Sequence, residues 1–385
     1  MLLMMWPRMP TASVFDTIRR TDLSGKKRRE QTFAYLNRSA RRGYAVSRLL
    51  IETWLSRVPA PLQVDFCTRF RCGREADFTS ALQELTLHEL LMRQGCKLVF
   101  HPNVSGTTKL PDFRVEQPGK PDFILEACTS LAIWSGPKSN PRANRIRDFL
   151  NGLDFGGHLI CIDELTAGSR DLPQRTLERH IANVIGRTAV GYTAESITIP
   201  PLVTADGWTI RLTAFPPMPD GTCSSIKMME ASDGPRNGPS YPLRSALEKK
   251  GGRYGDQLAM PYVIAVNSSE TMLTFRDLEE TLFGAGPEAG AMDGRTSRGF
   301  WGTTLTPNYR RVSAVMFTWN LWPATLLMGE VYACLFLNPW AEQPYEGALT
   351  NLPTFRSENG TLRKYSGMPL HTLLKLRPRD NAMWS

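Results

Sequence analysis

"KLPDFRVEQPGKPDFILEACTS", residues 109–130, is the stretch whose reading decides the fold. It holds two short apolar runs, LPDFRVE and PDFILEACT, bounded by proline and glycine as β-strands are. The "QPG" between them (117–119) offers a three-residue hairpin connection, with Gly119 where positive φ is wanted. That connection pairs residue 116 with 120 and sets Asp112 opposite Ile124 and diagonal to Glu126. Side chains repeat with period two, so Asp112, Glu126 and Cys128 share one face. Two carboxylates so placed suit Mg²⁺, a hard ion that takes one or two carboxylates and keeps water and phosphate as further ligands. Such an ion can generate a hydroxide nucleophile and stabilise charge building on a phosphate.

Upstream, "DFTSALQELTLHELLMRQG" (77–95) has apolar residues at 82, 85, 87, 90 and 91 and a glycine stop at Gly95, which predicts an amphipathic helix. "CKLVFHP" follows it as a strand. Downstream, the pattern predicts a helix over 138–153, a strand over 158–165, a helix over 174–187 and a strand over 207–215. A loop rich in Pro, Gly and Ser runs over 216–242. Then come the helix "PLRSALEKKGGRYG", the strand "PYVIAVN" (261–267), the helix "FRDLEETLFG" and a Gly-rich loop over 284–307. Residues 312–337 read as two buried strands joined by a loop. Strands mixed with helices indicate an α/β fold.

Charge is uneven along the chain. Residues 1–74 hold 15 Lys and Arg against 5 Asp and Glu, while the remainder holds 31 against 32. Two basic clusters stand out, "RRTDLSGKKRRE" (19–30) and "RSARRGYAVSR" (38–48), and from about Arg28 to Arg57 apolar residues fall at helical spacing, with a break at Gly43 and an end at Pro59 and Pro61. A basic two-helix segment of this kind suits a polyanion such as nucleic acid, and a solvated helical face is its other reading. The expected organisation is therefore a basic helical segment (1–74), an α/β domain (75–345) with 216–242 and 284–307 as insertions, and a polar tail (346–385).

Composition excludes other classes. Hydrophobic content of 42% with 22% charged residues is that of an ordinary globular protein. The seven cysteines form no CxxC pair, so neither a zinc site nor a disulfide framework is expected, and reduced thiols suit a cytoplasmic location. "MLLMMWPRMP" lacks the charged start of a signal peptide. Asn320, Pro323 and Glu330 interrupt the apolar run 312–337, so no membrane partner is expected.

A glutamate-bearing helix, a strand, a "PD" strand and an "ExC" strand, in that order, resemble the restriction-endonuclease-like PD-(D/E)XK superfamily over residues 77–130. On this resemblance Asp112 matches the motif aspartate and Glu126 its acidic residue, and Cys128 stands where the motif has lysine. Glu84 matches the extra helical glutamate of many members, with Glu89 as second choice. The resemblance implies a mixed β-sheet flanked by helices and a nuclease that cuts DNA with Mg²⁺ or Mn²⁺, in defence or repair. Asp112, Glu126 and Glu84 would be metal ligands. A lysine from elsewhere would then replace the missing one: Lys250 first, Lys109 and Lys138 behind it. Without such a lysine the domain would be a catalytically inactive nucleic-acid-binding or scaffold protein. Asp122, in a second "PDF", is a candidate third ligand or a strand start. Cys128 as a nucleophile lacks a base, since His101 lies on another strand. Trp319, Trp322 and Trp340 are candidates for stacking on bases, or buried aromatics.

Overall fold

The computed structural model describes residues 12–26, 30–104, 107–130, 140–152, 158–188, 196–215, 228–230, 240–254, 258–269, 273–286, 290, 292, 294–296 and 299–378. In chain order the helices are α1 (Thr32–Arg38), α2 (Arg42–Leu55), α3 (Ala60–Arg71), α4 (Glu75–Arg93), α5 (Pro141–Gly152), α6 (Gln174–Thr188), α7 (Ser240–Gly251), α8 (Phe275–Phe283), α9 (Pro323–Met328) and α10 (Leu370–Leu373). The strands are β1 (Lys97–Phe100), β2 (Phe113–Glu116), β3 (Phe123–Ser130), β4 (Leu159–Thr166), β5 (Ile197–Val203), β6 (Thr209–Phe215), β7 (Met228–Glu230), β8 (Tyr262–Ser268), β9 (Val312–Trp319), β10 (Tyr332–Leu337), β11 (Thr354–Glu358) and β12 (Thr361–Tyr365).

Two compact units emerge, and they divide the chain differently from the expected scheme. One joins residues 1–132 to 238–385; the other is 133–237, inserted between β3 and α7. The first is built on an eight-stranded mixed sheet of order β1-β2-β3-β8-β9-β10-β11-β12. β2 is antiparallel to both of its neighbours, β1 and β3, and β3, β8 and β9 run parallel. β10 is antiparallel to β9, and β11 is parallel to β10, with β12 folding back on it. Residues 354–365, expected in a polar tail, are thus the far edge of the main sheet.

Alternation along β3 decides what each face packs against. Phe123, Leu125 and Ala127 join a core with Phe78, Leu82 and Leu85 of α4, whereas Ile124 and Cys128 join one with Leu243 and Leu247 of α7. The helices α4 and α7 therefore lie on opposite faces. α4 begins with Glu75 and Asp77 and ends with Arg93, charges that suit the two ends of a helix dipole. Its end is a Schellman turn: Gly95 has φ +82°, and Cys96 N–H donates to Leu91 O at 3.0 Å. The expected amphipathic character is not what the structure has. Residues 81–91 of α4 are buried all round, polar Gln83, Thr86, His88 and Glu89 included.

The cause lies in the N-terminal segment, whose Val14, Leu36, Ile51, Trp54 and Phe66 belong to the same core as α4 and the sheet. The expected break near residue 75 lies inside this unit. The two-helix run ends before Pro59 and Pro61 as expected, and these prolines also open a third helix, since proline is tolerated in a first turn. Between β9 and β10, where a loop was expected, stands the short helix α9.

The unit 133–237 has a four-stranded sheet of order β5-β6-β4-β7. Ile160, Ile162, Ile210, Leu212 and Ala214 alternate onto one face and meet Ile146 and Leu150 of α5 and Leu177 and Ile181 of α6. β5, with its Pro200-Pro201, had no counterpart in the sequence reading. Of the expected 216–242 loop, residues 216–227 and 231–239 lie outside the described residues. Among the described residues no helix is long and apolar enough to cross a membrane, and Cys67, Cys72, Cys96, Cys128 and Cys334 are free thiols.

Candidate active site

β2 pairs with β3 as Phe113↔Leu125, Arg114↔Ile124 and Val115↔Phe123. This is two residues away from the expected register, because Pro121 has no N–H to give a ladder and β3 starts only at Phe123. A shift of two keeps every side chain on its face. It carries Asp112 from diagonal to directly across from Glu126. The Asp112 carboxylate also accepts the backbone N–H of Ala127 at 2.7 Å, which ties the start of β2 to the middle of β3.

Glu126 is fully buried on the face covered by α7. Three donors from the end of that helix converge on it. Lys250 Nζ lies 2.5 Å from Oε1, Arg253 donates to the same oxygen, and the Tyr254 hydroxyl donates to Oε2. Burial first, then the charges of Glu126 and Glu84, push the Asp112 carboxyl up to about 7, while Lys250 and the Ala127 N–H pull it down. Burial pushes the Cys128 thiol up to about 12 even though Lys250 opposes it, so Cys128 is a neutral, unreactive neighbour of the two acids. Burial and the bond to Glu126 push the Tyr254 phenol well up, which keeps it a proton donor.

The other sequence candidates stand as follows. Glu84 is close enough to Asp112 to raise its pKa, but it belongs to α4 on the opposite face, and Arg69 clamps both of its oxygens at 2.6 and 2.8 Å. Glu89 points elsewhere, paired with Arg57 and with Arg93 at 2.5 Å. Asp122 is held by Arg114 at 2.6 Å. Lys109 is exposed ahead of β2, and Lys138 lies outside the described residues. His101 ends β1 with φ +46°, its backbone N–H bonded to Asp112 O at 3.2 Å. Trp319 is buried and stacked on Tyr332, and Trp340 is packed edge-on to Phe283. Trp322 is half-buried and carries Lys26 over its ring.

Several arginines of the basic N-terminal segment are bonded within it. Arg48 holds Leu36 O of α1 and Ser39 O just after it, Arg71 holds Ser13 O and Val14 O, and Arg41 holds Leu23 O. Arg38 bridges Asp22 and Glu30, and Arg20 bridges Asp16 and Asn37. These guanidiniums satisfy backbone carbonyls and acids of their own fold and so hold the segment together, while the net positive charge of residues 1–74 remains.

Arg253 and Tyr254 were missed in the sequence. They follow Lys250 by three and four residues, the spacing at which side chains at a helix end meet, and "KKGGRYG" displayed it. Among the described residues no group of three His, Cys, Asp or Glu side chains could hold a metal ion. The pair Asp112 and Glu126 fits Mg²⁺ or Mn²⁺ only in kind, as two carboxylates that repel each other, since Lys250, Arg253 and Tyr254 already hold both oxygens of Glu126. Comparison of the chain with protein-family models, with curated proteins and with solved structures found no match.

Proposed function

We propose that this protein is a metal-dependent nuclease that hydrolyses phosphodiester bonds of DNA, built on a restriction-endonuclease-like sheet. The observation that carries the reading is the 2.5 Å contact of Lys250 Nζ with Glu126. The same ammonium acts on Cys128, the residue that on the resemblance stands in for the superfamily's lysine. The succession α4, β1, β2, β3 agrees with that superfamily's order of elements. Asp112 and Glu126 are the residues that would hold Mg²⁺ or Mn²⁺, which when bound supplies a Lewis acid at the phosphate. In this reading Ala127 N–H fixes the Asp112 carboxylate, Lys250 offers positive charge where the transition state gathers negative charge, and Tyr254 orients Glu126.

A second reading, a catalytically inactive nucleic-acid-binding or scaffold protein, is favoured by a specific observation. Both oxygens of Glu126 and both of Glu84 already have cationic or hydroxyl partners.

Cleavage of supercoiled and linear DNA by the purified protein, with Mg²⁺ or Mn²⁺ and with EDTA, separates the two. The nuclease reading expects metal-dependent cutting that Asp112→Ala and Glu126→Ala abolish and that Lys250→Ala lowers by about 100-fold or more. It also expects Cys128→Lys, added to Lys250→Ala, to return part of the rate by restoring a lysine on β3. Intact DNA in every metal condition would leave the second reading standing.

A further inference from the structure

We propose that Arg253 is a phosphate-binding residue of this site, gripping a non-bridging oxygen of the nucleic-acid backbone together with Lys250. The inference rests on the reading that the site takes a phosphodiester, and it adds a residue that neither the motif nor the resemblance supplies. Three observations carry it. First, Arg253 and Lys250 share a single oxygen of Glu126, so two cations converge on one carboxylate oxygen there, with Asp112 as the second acid beside it. Second, accessibility is graded: the Glu126 side chain is 0% exposed, whereas those of Lys250 and Arg253 are 21% and 30% exposed. An incoming anion therefore meets the cations and not the acid beneath them. Third, Arg253 lies in the turn that closes α7, its N–H bonded to Lys250 O at 3.1 Å and its guanidinium 5.9 Å from the Tyr254 ring centroid. A planar group backed by an aromatic ring is oriented before the ligand arrives. A guanidinium also carries five N–H donors in a fork that matches phosphate, more than one carboxylate oxygen can accept.

The competing account is structural: Arg253 merely neutralises buried Glu126. The two accounts separate in binding of a labelled DNA duplex measured by fluorescence anisotropy in EDTA over a range of salt. The full-length wild type, Arg253→Ala, Arg253→Lys, Glu126→Gln and the Glu126→Gln/Arg253→Ala double variant are compared, with circular dichroism melts to confirm folding. The phosphate role predicts that Arg253→Ala weakens binding by about tenfold and lowers the slope of log K against log salt by about one, while Arg253→Lys keeps the slope. It further predicts that Glu126→Gln tightens binding by releasing the cations, and that the added Arg253→Ala cancels the gain. Unchanged affinity and slope in Arg253→Ala overturn the proposal even if the wild type cuts DNA. So does a Glu126→Gln variant that binds no more tightly, or a wild type that does not bind. Arg253-dependent binding without metal-dependent cutting keeps this proposal and removes the nuclease reading.

Discussion

Asp112 holds the least comfortable charge in the site. Its carboxyl is pushed up to about 7 in the folded protein from an ordinary value of 3.8, with burial as the first cause and Glu126 and Glu84 next. Between these values the folded state keeps a proton that the unfolded chain has released. Stability then falls as pH rises through the window from about 4 to 7 and levels off above it. Asp112→Asn removes the ionisation and keeps an oxygen for the Ala127 N–H. The variant should match wild type near pH 4 and exceed it at pH 8 by roughly 2–4 kcal/mol, as read by urea unfolding in EDTA at both pH values. Equal gains at the two pH values would show that Asp112 does not carry the effect. The comparison with wild type cancels buried His88, whose pKa, lowered to about 4 by burial, works with the opposite sign over an overlapping range. The Asp and Glu of the "PD…ExC" pattern are legible in the sequence because strand alternation is local. What was not legible is their burial, which depends on α7, far away along the chain.

At the scale of the element, α7 is the part that builds the site. Leu243 and Leu247 seat it on the β3 and β8 face, and Lys250, Arg253 and Tyr254 at its end reach Glu126. The end of the helix is seated by Gly251. A Cβ there would stand 2.6 Å from Tyr309 and 2.9 Å from Phe300, rings stacked 4.3 Å apart. Real side chains do not approach so closely, so Gly251→Val has to lift the helix end or part the two rings. Overpacking of this kind costs about 1–3 kcal/mol. A displacement of about an ångström at the reacting groups costs on the order of 100-fold in rate. DNA cleavage and thermal melting of Gly251→Val should show both losses, and Gly252→Val, where a Cβ meets nothing within 4 Å, should show neither rate loss nor clash. A wild-type rate in Gly251→Val would mean that the position of the helix end does not matter. The helix itself was readable from its periodicity, and so was α4. The complete burial of α4 was not, since it arises only when α1 to α3 cover the outer side, and nothing local to residues 77–95 records that cover. The register error in the β2–β3 hairpin has a comparable origin. Gly119 does take positive φ, at +69°, but the missing N–H of Pro121 moves the start of the ladder beyond the turn.

At the scale of the whole molecule, the first unit is discontinuous in sequence: β3 and α7 meet across Glu126, with residues 133–237 between them along the chain. Composition does not mark where the inserted unit begins and ends, because its strands and helices have the same patterns as those around it. Its independence is visible only in its private core, where Trp208, Ile160, Leu177 and Ile210 pack with one another. The basic count of residues 1–74 is likewise silent on what each arginine touches: Arg48 and Arg71 both bond carbonyls of their own fold while keeping their charge. A unit with its own core, entered and left at one place in the host chain, has the anatomy of a domain insertion. Replacing residues 133–237 by a flexible Gly/Ser linker should therefore leave the rest able to fold, since the eight-stranded sheet and both of its cores lie outside the excised segment. The shortened protein should be soluble and melt in a single cooperative transition. The fluorescence of Trp54 and Trp301, both fully buried in the first unit, should stay blue-shifted and shift to the red on unfolding. The site residues all come from the retained unit, so an active wild type implies an active shortened protein. If it folds but has lost cutting, the inserted unit holds the substrate and the eight-stranded unit holds the chemistry. An aggregated or molten product would show instead that the core between α7 and the sheet needs the insertion to form.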